Sequence, residues 1–351
     1  MRKYLFSALA ILFLCTCGGS RKASPILEQG DTIPLLHAQL LTMVERGSEL
    51  EIIVRNPQDS TLTLQHLTLQ VPIRKAALSE SFLCGLLEEL GCIDKVGGIC
   101  DTPFCHIPSI EKGLRNNTIR DLGNGMNPNM EQIADLQPDI FLTTPYEGNS
   151  GFSRIEQLGI PLVFCADYME NTPLARAEWM KLFGRLFGKG EEADSLFAQI
   201  EQKYLSLKKL AESTSTHPKL LCETPYQGAW YIPRGESCTA ILYQDAGADY
   251  LFSDISGTGN AEQSIEYVMN KALLADVWIT KHHGPLSRKQ LEEDTPILAH
   301  IKAPLWVCDT SQKLFFEQTT FHPELLLEEI VHILHPEIGI GAKNSYFCPQ
   351  E

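Results

Sequence analysis

Two glutamates are the first residues whose type and spacing point to chemistry. Glu131 lies in the run Met130-Glu131-Gln132-Ile133-Ala134-Asp135-Leu136-Gln137-Pro138-Asp139-Ile140-Phe141-Leu142, and Glu266 in Ile265-Glu266-Tyr267-Val268-Met269, which continues through Ala275-Asp276 to Val277-Trp278-Ile279. Each run reads as a short amphipathic helix with a glutamate in its first turn, a Pro-Asp or Ala-Asp corner, and an apolar strand. The helix dipole favours such a glutamate by about 0.3–1 kcal/mol whatever its use. One phrase written twice, however, predicts two similar lobes, each presenting a carboxylate. That design suits a protein that holds a ligand between lobes and shows two acidic residues to a partner.

Around these runs the chain has the rhythm of an α/β protein. Leu50-Glu51-Ile52-Ile53-Val54, the turn at Asn56-Pro57, and Leu62-Thr63-Leu64 with Leu67-Thr68-Leu69 alternate with period two, predicting a small β extension. Strand and helix then alternate from Ala76 to Phe164, with Asn127 as the expected cap and Pro128 as the first residue of the Glu131 helix. Pro173 to Phe187 and Glu191 to Leu210 carry apolar residues at three- and four-residue steps, predicting helices. The second of these is long enough, at about 1.5 Å per residue, to bridge two lobes. The α/β rhythm resumes at Lys219. The expected fold is two Rossmann-like α/β lobes with mostly parallel sheets, joined by one long helix. Its divisions are 1–17 signal and anchor, 18–70 tether and β extension, 71–172 first lobe, 173–213 inter-lobe helix, and 214–351 second lobe.

Met1-Arg2-Lys3 followed by the apolar stretch Leu5 to Leu14 reads as an export signal, too short for the roughly twenty residues that span a bilayer. It runs into Leu14-Cys15-Thr16-Cys17, which resembles a bacterial lipobox and makes Cys17 the lipidated residue, with a secreted chain lacking lipid as the alternative. The location implied is the cell envelope, facing the periplasm and anchored to a membrane. A formal net charge of −15 argues against nucleic acid as a partner. An odd number of cysteines beyond Cys17 argues against a complete disulfide framework, and the sequence leaves a Cys100–Cys105 pair open. His332 and His335 are expected at the surface. Neither His-Glu-x-x-His, nor Gly-x-Ser-x-Gly, nor a phosphate-cradling glycine loop occurs, so the chain is not expected to be an enzyme and no cofactor or metal site is assigned. A metal-dependent envelope hydrolase and a lipoprotein that binds a protein partner are the alternatives.

Val71-Pro72-Ile73, Asp121-Leu122-Gly123, Glu131, Pro138-Asp139, Leu158-Gly159-Ile160-Pro161-Leu162-Val163, Arg176-Ala177-Glu178-Trp179, Phe187-Gly188-Lys189 and the second copy around Glu266 come in an order that resembles a known family. It is the family of periplasmic substrate-binding proteins of ABC importers for iron–siderophore complexes, haem and cobalamin. The resemblance implies a metal chelate held in a shallow cleft between lobes. It also implies that Glu131 and Glu266 dock on arginines of the ABC permease dimer. A flat chelate is best held by rigid aromatic faces with a few polar anchors. The loops after strand ends supply such residues, and the expected ligand contacts are Tyr146, Tyr168, Trp230, Tyr231 and Arg234. Haem would need an axial ligand, for which Tyr146, His282 and His283 are candidates. Arg234 and Lys281 are the only cations seen in these loops. That favours a chelate of low net charge, such as cobalamin or a hydroxamate complex, over an anionic catecholate.

Overall fold

The structure is a computed structural model that describes residues 30–59, 61–145, 150–341 and 345–350. Cys17 and Tyr146 lie outside these residues. The chain begins with an antiparallel sheet of four strands in sequence order, Asp31–Thr32, Leu41–Arg46, Glu49–Arg55 and Thr63–Gln70. Period-two alternation sends Leu50, Ile52 and Val54 inward, where all three are fully buried.

Two five-stranded sheets follow. The first has the order Leu162–Phe164, Ile140–Thr143, Ala76–Leu78, Val96–Ile99, Arg120–Asp121, all parallel. The second has Asp249–Tyr250, Lys219–Cys222, Val277–His282 and Leu305–Asp309 in parallel, closed by antiparallel Cys348–Gln350. The repeated phrase is thus a repeated topology. In each lobe the strand after the acidic helix pairs with the lobe's first strand on one side and with the next strand in sequence on the other. The recurring aspartate has the same task in both lobes. Asp139 accepts the backbone N–H groups of Arg74 and Lys75 at 2.9 Å each, and Asp276 accepts that of Lys219 at 2.8 Å. Each carboxylate therefore ties its own strand to the entry of the neighbouring one.

The helix Gly190–Glu212 is 23 residues long, about 34 Å at 1.5 Å per residue. Phe197 and Ile200 belong to a core shared by the β extension and the first lobe, whereas Tyr204, Leu207 and Ala211 belong to the core of the second lobe. One rod is therefore an integral part of both cores. The expected helix Pro173 to Phe187 is instead two, Pro173–Glu178 and Met180–Leu186. Trp179 is the joint, and its buried indole donates to Glu170 Oε1 at 3.0 Å. Met180–Leu186 is buried on every side, so its charges are paired: Lys181 with Glu178, Arg185 with Asp194.

Two local expectations are corrected, and one point the sequence left open is decided. The cap of the Glu131 helix is Asn129, whose side chain accepts the N–H groups of Glu131 and Gln132; Asn127 and Pro128 form a short strand before it. His335 is fully buried, not a surface residue, because the chain turns under the last helix and brings its ring to the carbonyl of Ala246 at 3.1 Å. The Cys100–Cys105 pair that the sequence left open is not formed: both are free thiols, and Cys100 donates to the carbonyl of Leu122 at 3.8 Å. No helix among the described residues is long and apolar enough to cross a membrane.

Candidate functional site

Three adjoining cavities of about 390, 320 and 140 Å3 lie between the lobes, and Arg176 lines all three. First-lobe residues reach them from segments that follow the carboxyl ends of parallel strands: Glu80, Ser81 and Phe82 after Ala76–Leu78, Thr144 after Ile140–Thr143, and Asp167 and Tyr168 after Leu162–Phe164. This is where open α/β sheets leave room for a ligand. The second lobe contributes Cys238 and Thr239 from the start of the helix Cys238–Asp245, Lys281 from the end of Val277–His282, and Phe316 and Thr320 near the helix Phe315–Thr319.

Arg176 stands in the helix that Thr172 caps by accepting from the N–H of Ala175. Its Nε donates to Asp167 Oδ2 at 3.0 Å. Asp167 is 1% exposed; burial pushes its carboxyl above the ordinary range, and Arg176 pulls it back. The guanidinium is thereby oriented, while its terminal nitrogens have no hydrogen-bond partner among the described residues. They remain as paired donors for a carbonyl or carboxylate oxygen. Beside it, burial raises the Glu80 carboxyl, against a hydrogen bond with Thr144. Lys281 is ion-paired with Glu223. The two cations lining the cavities are thus balanced by Asp167 and Glu223, and the cleft has no surplus positive charge. Exposed faces of Tyr168 and Phe316 supply flat apolar surface.

The lobes touch beside the cleft. Ser81 donates to Glu317 at 2.8 Å, Glu89 pairs with His322 at 2.7 Å, and Phe104 meets the His283 ring edge-on at 5.8 Å between centroids. Gly85 is required here: a Cβ would lie 2.1 Å from the carbonyl oxygen of Glu317.

Residues 86–304 match the family described as Periplasmic binding protein. The chain belongs to this family. A curated relative, an uncharacterized lipoprotein of Methanocaldococcus jannaschii, is 29% identical over 296 residues, covering 80% of this chain and 69% of the relative. Among solved structures, a periplasmic heme binding protein from Pseudomonas aeruginosa aligns with a TM-score of 0.61 at 16% identity, covering 80% of this chain and 98% of its own. An ABC-type Fe3+-hydroxamate transport system protein from Saccharomonospora viridis aligns with 0.59 at 19%, again covering 80% and 98%. These structures establish the shared fold. The family is one of binding proteins, which sets the hydrolase alternative aside.

The inter-lobe cleft gathers only part of the expected contact set. Tyr168 lines it, with its ring 42% exposed and its hydroxyl donating to the carbonyl of Pro145 at 2.7 Å. Trp230 does not, and is corrected: it is fully buried in the second lobe, against Trp278 and donating to the carbonyl of Cys222 at 3.2 Å. Strand alternation explains this, since Tyr231, next along Ala229–Pro233, is the residue that faces outward. Neither Tyr231 nor Arg234 lines the three cavities, and Arg234 donates to the carbonyl of Ser256 at 3.1 Å. His282 and His283 are exposed, and His282 is turned to the carbonyl of Gly284. Glu131 and Glu266 are each the second residue of their helices, exposed, and without a carboxylate partner among the described residues. Sequence reading missed Arg176, Glu80 and Phe82. The available signal for Arg176 was its place one turn beyond the Thr172-Pro173 helix start, which follows a strand-end loop.

Proposed function

We propose that this chain is the substrate-binding lipoprotein of an ABC importer. It captures an iron complex, either a siderophore or haem, or a cobalamin between its lobes and delivers it to the permease dimer. The observation that carries this reading is the inter-lobe cleft, where an oriented Arg176 faces the aromatic surfaces of Tyr168 and Phe316. The names of the solved relatives, a heme binding protein and a hydroxamate transport protein, support the ligand class. The lipoprotein relative supports an anchor at Cys17. The absence of surplus positive charge in the cleft favours ligands of low net charge: a ferric trihydroxamate or cobalamin over a tris-catecholate. Glu131 and Glu266 are the docking carboxylates of this reading, one per lobe at matching helix positions.

The test is isothermal titration calorimetry of the unlipidated mature chain with cyanocobalamin, haemin, a ferric trihydroxamate and a ferric tris-catecholate. Calorimetry is preferred to tryptophan quenching because Trp179, Trp230 and Trp278 are all buried. Saturable binding of one class at a dissociation constant of about 1 μM or lower is expected. Absence of heat with all four would remove the chelate-transport reading. Binding of the tris-catecholate alone would overturn the charge argument.

A further inference from the structure

The β extension lies before residue 86, where the family match begins, yet it reaches the cleft. Pro57 and Gln58, at the turn between Glu49–Arg55 and Thr63–Gln70, line the 320 Å3 cavity together with Tyr168 and Arg176 of the first lobe and Thr239 and Asn260 of the second. We infer that this turn is a third wall of the ligand cleft, and that it selects ligands whose periphery carries uncharged amide or hydroxyl groups.

The extension is fixed strongly enough for that role. Glu178 accepts the backbone N–H groups of Leu36, His37 and Ala38, and Glu170 accepts those of Gln39 and Leu40. Gln65 bonds both to the carbonyl of Leu162 and to the N–H of Phe164, along the edge strand of the first-lobe sheet. The turn holds its own shape, since Asn56 accepts from the N–H of Gln58 at 2.8 Å and Asp59 from the N–H of Thr61 at 3.0 Å. Gln58 is exposed, and its side-chain amide has no partner among the described residues. Opposite it, Thr239, Thr258 and Asn260 are polar and uncharged. The charges in this cavity are already matched, Arg176 by Asp167 and Glu170 by backbone N–H groups. An amide side chain offers a donor and an acceptor, and so meets amides and hydroxyls equally well. Pro57 and Gln58 bring no cation to the cavity, so a carboxylate edge placed against this wall would find no charge partner there.

The inference rests on the proposed chelate-binding role, and its test separates the two. Calorimetry with cyanocobalamin and a ferric trihydroxamate is run on the mature protein and on Gln58→Trp, Gln58→Glu and Arg176→Met. Gln58→Trp, which fills the mouth, is expected to weaken binding more than tenfold. Gln58→Glu is expected to weaken it about three- to tenfold, the loss of one donor at a polar contact. Unfolding temperatures of the Gln58 variants should stay at the parent value, because the side chain is exposed. If Arg176→Met weakens binding while both Gln58 variants bind like the parent, the third wall is overturned and the cleft reading stands. If the parent binds neither probe but does bind haemin or the tris-catecholate, the third wall falls and the cleft reading stands; if it binds none of the four ligands, both fall.

Discussion

At the scale of single residues, burial decides which polar and aromatic groups are available to a ligand. Trp230 looks like a ligand contact when its loop is read as a string, but its indole is enclosed and hydrogen-bonded inside the second lobe. Trp230→Phe should therefore cost about 1.5–3 kcal/mol of stability through the cavity and the unpaired Cys222 carbonyl. Chelate affinity should stay within about twofold of the parent. A large affinity loss at unchanged unfolding temperature would restore Trp230 to the site. His322 carries a pH dependence. Burial lowers its imidazole pKa, but hydrogen bonds to Glu324 and Glu89 outweigh burial and raise it to about 9, against an ordinary 6.5. The folded state thus holds the proton more tightly than the unfolded chain. The stabilisation is complete below pH 6.5 and is lost as pH rises through about 9. It amounts to no more than about 3 kcal/mol. Denaturant midpoints measured from pH 6 to pH 10 should show this decline, and His322→Gln should flatten it. An equal slope in both proteins would show that the decline arises elsewhere.

At the scale of elements, buried carboxylates fasten the β extension to the rest. Glu178 is fully enclosed; burial alone would raise its pKa, but Lys181 and three backbone N–H groups hold it below the ordinary value. A depressed carboxyl contributes stability above its unfolded pKa of about 4.5 and loses it as pH falls through the folded value. Glu178→Leu leaves Lys181 and the N–H groups of residues 36–38 without their acceptor. The expected cost is about 3–5 kcal/mol, typical of one-sided loss of a buried pair. Hydrogen exchange should report it first as lost protection in residues 31–70. Loss spread evenly over both lobes would mean that the extension is not a separately fastened unit.

At the scale of the whole molecule, the two lobes have one design, and the rod Gly190–Glu212 is packed into the cores of both. A shared rigid helix limits the motion available to the lobes, so presenting two carboxylates at matching positions requires little rearrangement. Glu131→Arg together with Glu266→Arg should abolish uptake into cells while calorimetric affinity for the ligand is preserved. Each glutamate is exposed and without a carboxylate partner among the described residues, so unfolding temperature should not move. Normal uptake by the double variant would refute the docking role. Docking carried by charge-assisted contacts also predicts weaker association as salt is raised.

Much of the architecture could be read in the chain because it is written locally. Period-two alternation in Leu50 to Val54, the three- and four-residue steps of Phe197, Ile200, Tyr204 and Leu207, and the twice-used helix–Asp–strand phrase are short-range patterns, and local sterics and burial convert them directly into elements. Asp139 and Asp276 are legible for the same reason, since each ties together two adjacent parallel strands. The cleft was not legible in the same way. Arg176 belongs to it only because Asp167, nine positions earlier, turns its guanidinium into space bounded by Phe316, far along the chain. Trp230 and Tyr231 are neighbours in sequence and opposite in fate, because strand phase against a core cannot be known until the core exists. Pro57 and Gln58 read as an ordinary turn, and only the docking of the extension through Glu170, Glu178 and Gln65 carries that turn to the inter-lobe cavity. Local pattern therefore determined the parts, and long-range packing decided which side chains face one another across the space between them.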